Sequence, residues 1–276
     1  MSYEIVSKEE LHAKIEKVEP VKQLSPYVLE IDHISVCFDG FYALTDVHTK
    51  VKRNDIHFFI GPNGAGKTTL LDIICSKTKP TSGSVIFHPM YKDPVILTGM
   101  KEYKIVWLGI GRKFQVPSVF INLTVEENMV LSLKKGKRIV DTILRKPYKE
   151  EMDHIEETLQ KVGLADKRNW RAGSLAHGEK QWLEIAMQLE QKPEVIMLDE
   201  PAAGMGKPET FKTGEILKEI KKECTVIVIE HDMDFVKQIA DKVTVLHEGK
   251  ILMEGGVTEV LADPTVQKVY LGRGGE

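Results

Sequence analysis

The octapeptide Gly61-Pro62-Asn63-Gly64-Ala65-Gly66-Lys67-Thr68 restricts what this chain can fold into more than any other stretch. It follows the apolar run Ile56 to Ile60 and opens a segment, Lys67 to Cys75, in which Leu70, Leu71 and Ile74 recur at helical spacing. That order predicts a strand, a glycine-rich turn and a helix. Glycines let successive backbone N–H groups turn toward one point, and the helix end adds partial positive charge, so the turn is built to cradle phosphates. In this reading Lys67 reaches the outer phosphates, the Thr68 hydroxyl holds Mg²⁺, and Thr69 extends the cradle. An ordinary glycine-rich turn is the weaker reading, because the pattern is complete and lies between a strand and a helix.

A second apolar strand, Val195 to Leu198, runs into Asp199 and Glu200. Open α/β sheets bind ligands at the carboxyl ends of their strands, which suits Asp199 to the Mg²⁺ shell. Glu200 lies one residue further toward the γ-phosphate and suits polarising the attacking water. Taken alone, the acidic pair serves equally well as a helix N-cap with its first-turn charge. His231, in Glu230-His231-Asp232 after the strand Thr225 to Ile229, is placed to meet the γ-phosphate or that water, although a histidine in isolation there is more often structural. Gln115, in Gly111-Arg112-Lys113-Phe114-Gln115, offers a neutral amide to complete the Mg²⁺ and water shell.

Around these residues the texture of the chain changes several times. Ser7 with Glu10 forms a capping-box pattern, and Leu11, Ile15 and Val18 share one face of a short predicted helix within an N-terminal extension, 1–27, to which no function is assigned. Val28 to Phe38 reads as a strand, followed by turns at Asp39-Gly40 and Asn54-Asp55. Pro80 to Gly83 is expected to end the helix after the glycine-rich turn. Residues 123–190 are rich in helix formers and charge; Glu150 to Val162 places Ile155, Leu159 and Val162 on one face. A helix from Glu209 to Lys222 separates the two buried-strand patterns, as in a parallel sheet with crossover helices. Val243 to Leu246, the turn Glu248-Gly249 and the arm Ile251 to Met253 complete the series. The expected fold class is α/β: a P-loop core with a mixed β-sheet, an antiparallel β element near the N-terminus and an inserted α-helical lobe. The core takes 28–115 and 191–256, the lobe 116–190 and a C-terminal segment 257–272, with 273–276 as a tail.

Lysine and arginine total 38 against 41 aspartates and glutamates, a net charge of −3, so no excess positive field recruits nucleic acid. The longest apolar runs are strand length, well short of the roughly 20 residues that span a bilayer. The first residues lack the basic and apolar stretches of a secretory signal, and the expected compartment is the cytoplasm. Cys37, Cys75 and Cys224 are widely spaced among apolar residues and read as small buried thiols, not as disulfide partners or metal ligands.

From about Val28 to Gly272 the ordered set of motifs resembles the ABC transporter ATPases. The resemblance implies that Phe38 stacks on adenine, that Gly61 to Thr68 is the Walker A loop, and that Gln115 is the Q-loop glutamine. It likewise implies that Asp199 and Glu200 are the Walker B pair and His231 the switch histidine. Leu175-Ala176-His177-Gly178-Glu179 occupies the place of the family signature, which in the family completes the ATP site of a partner chain. A homodimer, or a heterodimer with a homologous ATPase, is therefore implied, together with transmembrane permease subunits docked on the helical lobe and Q-loop, a periplasmic or extracellular substrate-binding protein, and a position at the inner face of the membrane. Within the family the chain is most similar to the branched-chain amino-acid and urea importers, and to the urea transporter's ATP-binding subunit in particular. The stretches that carry this are Gly111 to Phe120, His177 to Ile185 and Glu200 to Met205, with the ending Val269 to Gly272.

Two positions depart from the family pattern. Ala176 stands where a serine hydroxyl normally bonds the γ-phosphate across the dimer, a bond worth about 1.5 to 3 kcal/mol, and Gly206 replaces a polar residue after Walker B. Either the sandwich is weakened or Ala176 is a harmless variant of a helix N-terminus. Two further readings share the phosphate-binding residues: a soluble ABC ATPase of an assembly system, such as iron-sulfur scaffold assembly, and an ATP-binding regulatory subunit with weak turnover.

Overall fold

Asp39 and Gly40 both adopt positive φ, 47° and 89°, and so fold the chain back in the tight turn whose twist matches a hairpin. The strands on either side are β1 (Tyr27–Phe38) and β2 (Phe41–Lys52), antiparallel from Phe38↔Phe41 at the turn to Tyr27↔Lys52 at the open end. In the computed structural model, which describes residues 24–113, 119–133 and 147–271, this hairpin joins β4 (Ser82–Phe87) and β5 (Val95–Ile96) in a four-stranded antiparallel sheet of order β2-β1-β4-β5. The helix expected around Ser7 to Val18, Gln115, Gly272 at the end of the C-terminal segment and the tail 273–276 lie outside the described residues.

A second sheet has the order β10-β9-β3-β8-β7-β6. Its strands are β3 (Ile56–Ile60), β6 (Ile110–Lys113), β7 (Val195–Asp199), β8 (Thr225–Ile229), β9 (Lys242–His247) and β10 (Lys250–Gly255). All pair in parallel except the terminal β9-β10 hairpin. Every residue of β3, β7 and β8 is buried, which explains why these strands read as continuous apolar runs: both faces are covered. The two-residue period of β3 then divides the interior. Ile56, Phe58 and Ile60 enter one apolar cluster, while Phe59 enters the other beside Ile31, Val47 and Leu71.

The first cluster contains the helical lobe. Helices α3 (Val125–Ser132), α4 (Lys149–Val162) and α5 (His177–Leu189) contribute Met129, Leu159 and Ile185 to the same core as Phe58 and Leu198. The lobe is thus continuous with the sheet through α5, each large side chain contributing about 1.5 to 3 kcal/mol on burial. The indole N–H of Trp182 on α5 donates to the Thr213 hydroxyl on α6 (Lys207–Ile220) over 2.9 Å, joining the lobe to the crossover helix. The remaining helices are α1 (Lys67–Ile74), α2 (Glu102–Leu108), α7 (Met233–Ile239), α8 (Val257–Ala262) and α9 (Pro264–Leu271).

Two helices differ from expectation in their bounds. Helix α6 runs Lys207–Ile220 in place of the expected Glu209 to Lys222, because Glu209 accepts the Gly206 N–H and so caps the helix from its first turn. Helix α1 ends at Ile74, and Ser76 then enters the left-handed region at φ 57°, so Pro80 to Gly83 does not terminate the helix but leads into β4. Of the cysteines, Cys224 is buried and Cys37 and Cys75 are half-buried; all three are free, and burial pushes the Cys75 and Cys224 thiols up to about 11 and about 12.

His57, fully enclosed on β3, starts a polar chain through Thr244 to Glu254, whose carboxylate also accepts from Thr49 of β2 and so reaches the other sheet. Its Nε2 lies 2.7 Å from the Thr244 hydroxyl, which donates to Glu254, and its ring stacks on Phe59 with centroids 4.6 Å apart. Burial, aided by the Lys242 charge, pushes its pKa from 6.5 down to about 3. The unfolded chain therefore takes up this proton at higher pH than the native state does. Stability is complete above about pH 6.5 and declines as pH falls toward 3, with a slope of at most about 1.4 kcal/mol per pH unit. Denaturant midpoints measured across this window are expected to fall less steeply for His57→Gln, which keeps a polar group facing Thr244 but does not titrate.

Candidate functional site

The turn between β3 and α1 is held in place by close contacts that only glycine permits. Gly61 has φ 150°, and a Cβ there would lie 2.1 Å from the Leu246 carbonyl oxygen on β9. At Gly66, φ 100°, a Cβ would meet the Leu44 side chain of β2 at 2.5 Å. The loop is therefore pinned between the two sheets. Lys67 reaches back over it, its ammonium donating to the carbonyls of Gly61 at 2.7 Å and Pro62 at 3.0 Å. Burial lowers the Lys67 pKa, opposed by the negative charges of Glu200 and Asp199.

A cavity of about 510 Å³ opens above this loop, lined by Asn63, Gly64, Ala65, Gly66, Lys67, Thr68 and Thr69. Asp199 and Glu200 close one side, and Phe38, Phe41 and Ala43 of the β1-β2 hairpin close the other. Phe38 and Phe41 face each other across the hairpin turn and are exposed, offering apolar faces at the mouth. Asp199 ends β7 and is buried; burial raises its pKa and the nearby Arg112 guanidinium, 3.9 Å away, opposes that rise. Glu200 follows in the left-handed region, φ 48°, a strained backbone for a non-glycine residue, and its N–H donates to the Ile229 carbonyl at 2.9 Å. That geometry turns the Glu200 carboxylate to within 3.5 Å of His231 Nδ1. The structure thus brings together three segments far apart in sequence: the phosphate loop, the adjacent pair Asp199-Glu200, and His231. Oxygen donors on Thr68 and Asp199, with a lysine beside them, fit a Mg²⁺-nucleotide: a hard cation takes hydroxyl and carboxylate oxygens, and the loop N–H groups and ammonium take phosphates.

Leu175 to Glu179 do not line this cavity. They open α5, with Leu175 and Gly178 buried and Ala176 and His177 exposed. Ala176 has no side-chain acceptor, so the helix start is capped from the other direction: the Glu179 carboxylate accepts the Ala176 N–H at 3.1 Å. Although burial raises its pKa, bonds from Lys167 and this N–H hold the Glu179 carboxyl below its usual range. His177 Nε2 lies 3.2 Å from the Ala203 carbonyl, so the segment rests against the turn that follows Glu200.

Three residues escaped the sequence reading. Phe41 carried a signal, an aromatic mirrored across the Asp-Gly turn from Phe38. Glu230 is buried, with its pKa raised by burial, and accepts N–H groups from Ala202 and His231, both at 3.1 Å, thereby tying the loop after β7 to the loop after β8. Arg112 is nearly enclosed on β6 and pairs with both Asp72 of α1 and Asp199. Only tertiary packing exposes these last two roles. Replacing Arg112 by Met removes the enclosed cation shared by two carboxylates, leaving Asp72 the longer contact to Lys77 and Asp199 the charge of Lys67, and we expect a loss of about 3 kcal/mol in equilibrium unfolding at neutral pH.

Comparison with known proteins agrees with this geometry. The profile of the ABC transporter family matches residues 44–203. The chain is 33% identical over 258 residues to LivG of Salmonella typhimurium, a high-affinity branched-chain amino acid transport ATP-binding protein, covering 90% of this chain and 99% of the relative. It is 32% identical over 258 residues, with the same coverage, to BraF of Pseudomonas aeruginosa, named for the same role. Among solved structures, the ADP conformation of MJ1267, an ATP-binding cassette of an ABC transporter, matches with a TM-score of 0.77 at 30% identity, over 90% of this chain and 99% of that one. With a family profile across most of the chain and relatives matched over nearly their whole length, this protein belongs to the ABC transporter family as an ATP-binding cassette.

Proposed function

We propose that the chain is the ATP-hydrolysing subunit of an ABC importer for branched-chain amino acids, acting on separate membrane subunits. The observation that carries the chemistry is the placement of Glu200, 3.5 Å from His231 and beside the Lys67 loop, at the wall of one cavity. The loop N–H groups and Lys67 bind and orient the β- and γ-phosphates, while Phe38, joined by Phe41, takes the base. Thr68 and Asp199 would hold Mg²⁺, with Gln115, outside the described residues, as a further protein donor beside phosphate and water oxygens. The metal supplies charge neutralisation on the phosphate oxygens when bound. Glu200 accepts the proton of the attacking water and His231 steadies that arrangement at the γ-phosphate side.

Ala176 and His177 are exposed at the start of α5 and lie outside the cavity of their own chain, which supports their use in a partner's site and hence a head-to-tail dimer, with itself or with a homologous ATPase. For the membrane partner the support is on the lobe. Phe120, Ile121 and Leu131 are exposed, and a groove of about 460 Å³ is lined by Leu123, Val130, Leu131, Pro147 and Met152, with Glu126 and Glu127 also in its lining. No helix among the described residues is long and apolar enough to cross a membrane, so the permease is a separate subunit in this reading and holds the chain at the inner face. The names of LivG and BraF favour branched-chain amino acids over urea. Urea remains the alternative on the stretches Gly111 to Phe120 and His177 to Ile185. A substrate-binding protein outside the membrane completes the proposed system.

Steady-state Mg-ATP hydrolysis tests the chemistry. Glu200→Gln is expected to reduce the rate by about 10² to 10⁴ while retaining nucleotide binding; equal turnover in both proteins would remove Glu200 from the mechanism. Ala176→Ser restores a hydroxyl to the partner's γ-phosphate. In the Glu200→Gln background we expect it to tighten ATP-dependent dimerisation by roughly tenfold or more, measured by analytical ultracentrifugation.

A further inference from the structure

On the antiparallel sheet, away from the nucleotide cavity, β1 carries a bulge. Ile31 pairs with Thr49 and Ile34 with Val47, so Asp32 and His33 together face His48. The pairing of β1 with β4 breaks at the same place, between Asp32 and Ser35. The bulge is buttressed by Gly83 of β4: at φ 84°, a Cβ there would lie 2.3 Å from the His33 carbonyl oxygen and 2.5 Å from that of Asp32. His33 and, across the hairpin, Asp46 both sit in the left-handed region, at φ 50° and 53°. Bulges re-aim side chains, and this one gathers two imidazoles and two carboxylates on one exposed face.

From this juxtaposition we propose that Asp32, His33 and His48 form a binding site for a divalent transition metal of the zinc class, with Asp46 orienting His33. Asp32 Oδ1 lies 3.4 Å from His48 Nδ1 and 4.0 Å from His33 Nε2. One ligand atom from each of the three residues lies within 4.8 Å of the other two. Bonds of about 2.0 to 2.2 Å at a tetrahedral zinc put ligand atoms roughly 3.3 to 3.6 Å apart, so small side-chain rotations close the set. The opposite nitrogen of His33, Nδ1, is 2.6 Å from Asp46 Oδ1. That bond places the Nδ1 proton on the Asp46 side and leaves the Nε2 lone pair turned toward Asp32. This carboxylate–histidine arrangement is the one that orients and strengthens metal-bound histidines elsewhere.

A pair of exposed salt bridges accounts for less of this geometry. It requires neither one carboxylate oxygen near both rings nor a second carboxylate on the far nitrogen of one of them. The rings of His33 and His48 also stack, with centroids 4.9 Å apart and planes at 26°, so the two donors are already neighbours. Two imidazoles and one carboxylate select Zn²⁺, Ni²⁺, Co²⁺ or Cu²⁺ over Mg²⁺, whose place is the all-oxygen set at Thr68 and Asp199. Three protein ligands leave the fourth position to water. Occupation cross-links β1 to β2, the hairpin whose turn carries Phe38 and Phe41.

The test uses the full chain, stripped with chelator and free of nucleotide. Titration with Co²⁺ is expected to produce visible d–d absorption saturating at one equivalent and displaced by Zn²⁺, and calorimetry with Zn²⁺ to show the same stoichiometry. The His33→Ala/His48→Ala variant loses both signals, while Asp46→Asn weakens Zn²⁺ binding by about 10- to 100-fold. Metal-free melting of each variant within a few degrees of the parent shows that the fold is kept. Should the double variant fail to fold, protection of His33 and His48 by Zn²⁺ from carbethoxylation in the parent protein, mapped on peptides, reads the same site. The proposal is overturned if the parent binds no stoichiometric Co²⁺ or Zn²⁺, if the folded double variant binds unchanged, or if neither histidine is protected.

Discussion

The contact between Gly61 and the Leu246 carbonyl sets the position of nearly everything that follows. Two sheets meet around one turn, and the turn passes between them only because Gly61 and Gly66 have no side chain to obstruct β9 and β2. A loop pinned on both sides presents its N–H groups from fixed points, which lets a phosphate bind without first ordering the backbone. The burial of β3 on both faces supplies the rigidity behind it, since Phe58 is locked into the lobe-side core and Phe59 into the antiparallel-sheet side.

Charge at the site is arranged as opposition across short distances. Asp199 ends a buried strand beside the Glu200 carboxylate, and burial, aided by that neighbouring charge, pushes Asp199 toward protonation. Arg112 and Lys67 counter this for Asp199, and the counter-charge is partial: the Asp199 pKa remains above its ordinary value. Such a carboxylate is stabilised by a bound cation, which fits its place opposite Thr68. Glu230 does different work behind it. As a buried acceptor for two backbone N–H groups it holds the Ala202 turn to the His231 loop, on either side of the Glu200–His231 contact.

The segment Leu175 to Glu179 packs against the same loop. His177 touches the Ala203 carbonyl, Gly178 packs against Met205 and Glu209 of the same loop and helix, and Trp182 bonds Thr213. The loop after Glu200 and the start of α5 are thereby in direct contact. The helix start is capped by Glu179 on the Ala176 N–H, so the alanine leaves the local structure intact. What it removes is a hydroxyl at an exposed N-cap, together with the side-chain cap a serine would give the first turn.

Much of this protein was legible in its residues before any coordinates. The glycine-rich turn, the strands β3, β7 and β8 and the pair Asp199-Glu200 were readable because their signals are local: a turn needs glycine where φ is positive, and a strand covered on both faces needs an unbroken apolar run. Other features depended on residues distant in sequence. The end of α1 at Ile74 was set by a left-handed turn at Ser76, not by Pro80. Arg112 was one charged residue among many until β6 lay beside β7, and His57 was an interruption in an apolar strand until β9 and β10 enclosed it. The bulge that sets Asp32 and His33 opposite His48 exists only where three strands pair with mismatched register. Local backbone preference and hydrophobic period are written in consecutive residues, whereas burial, charge pairing and register are properties of which strands become neighbours, and only the folded chain decides that.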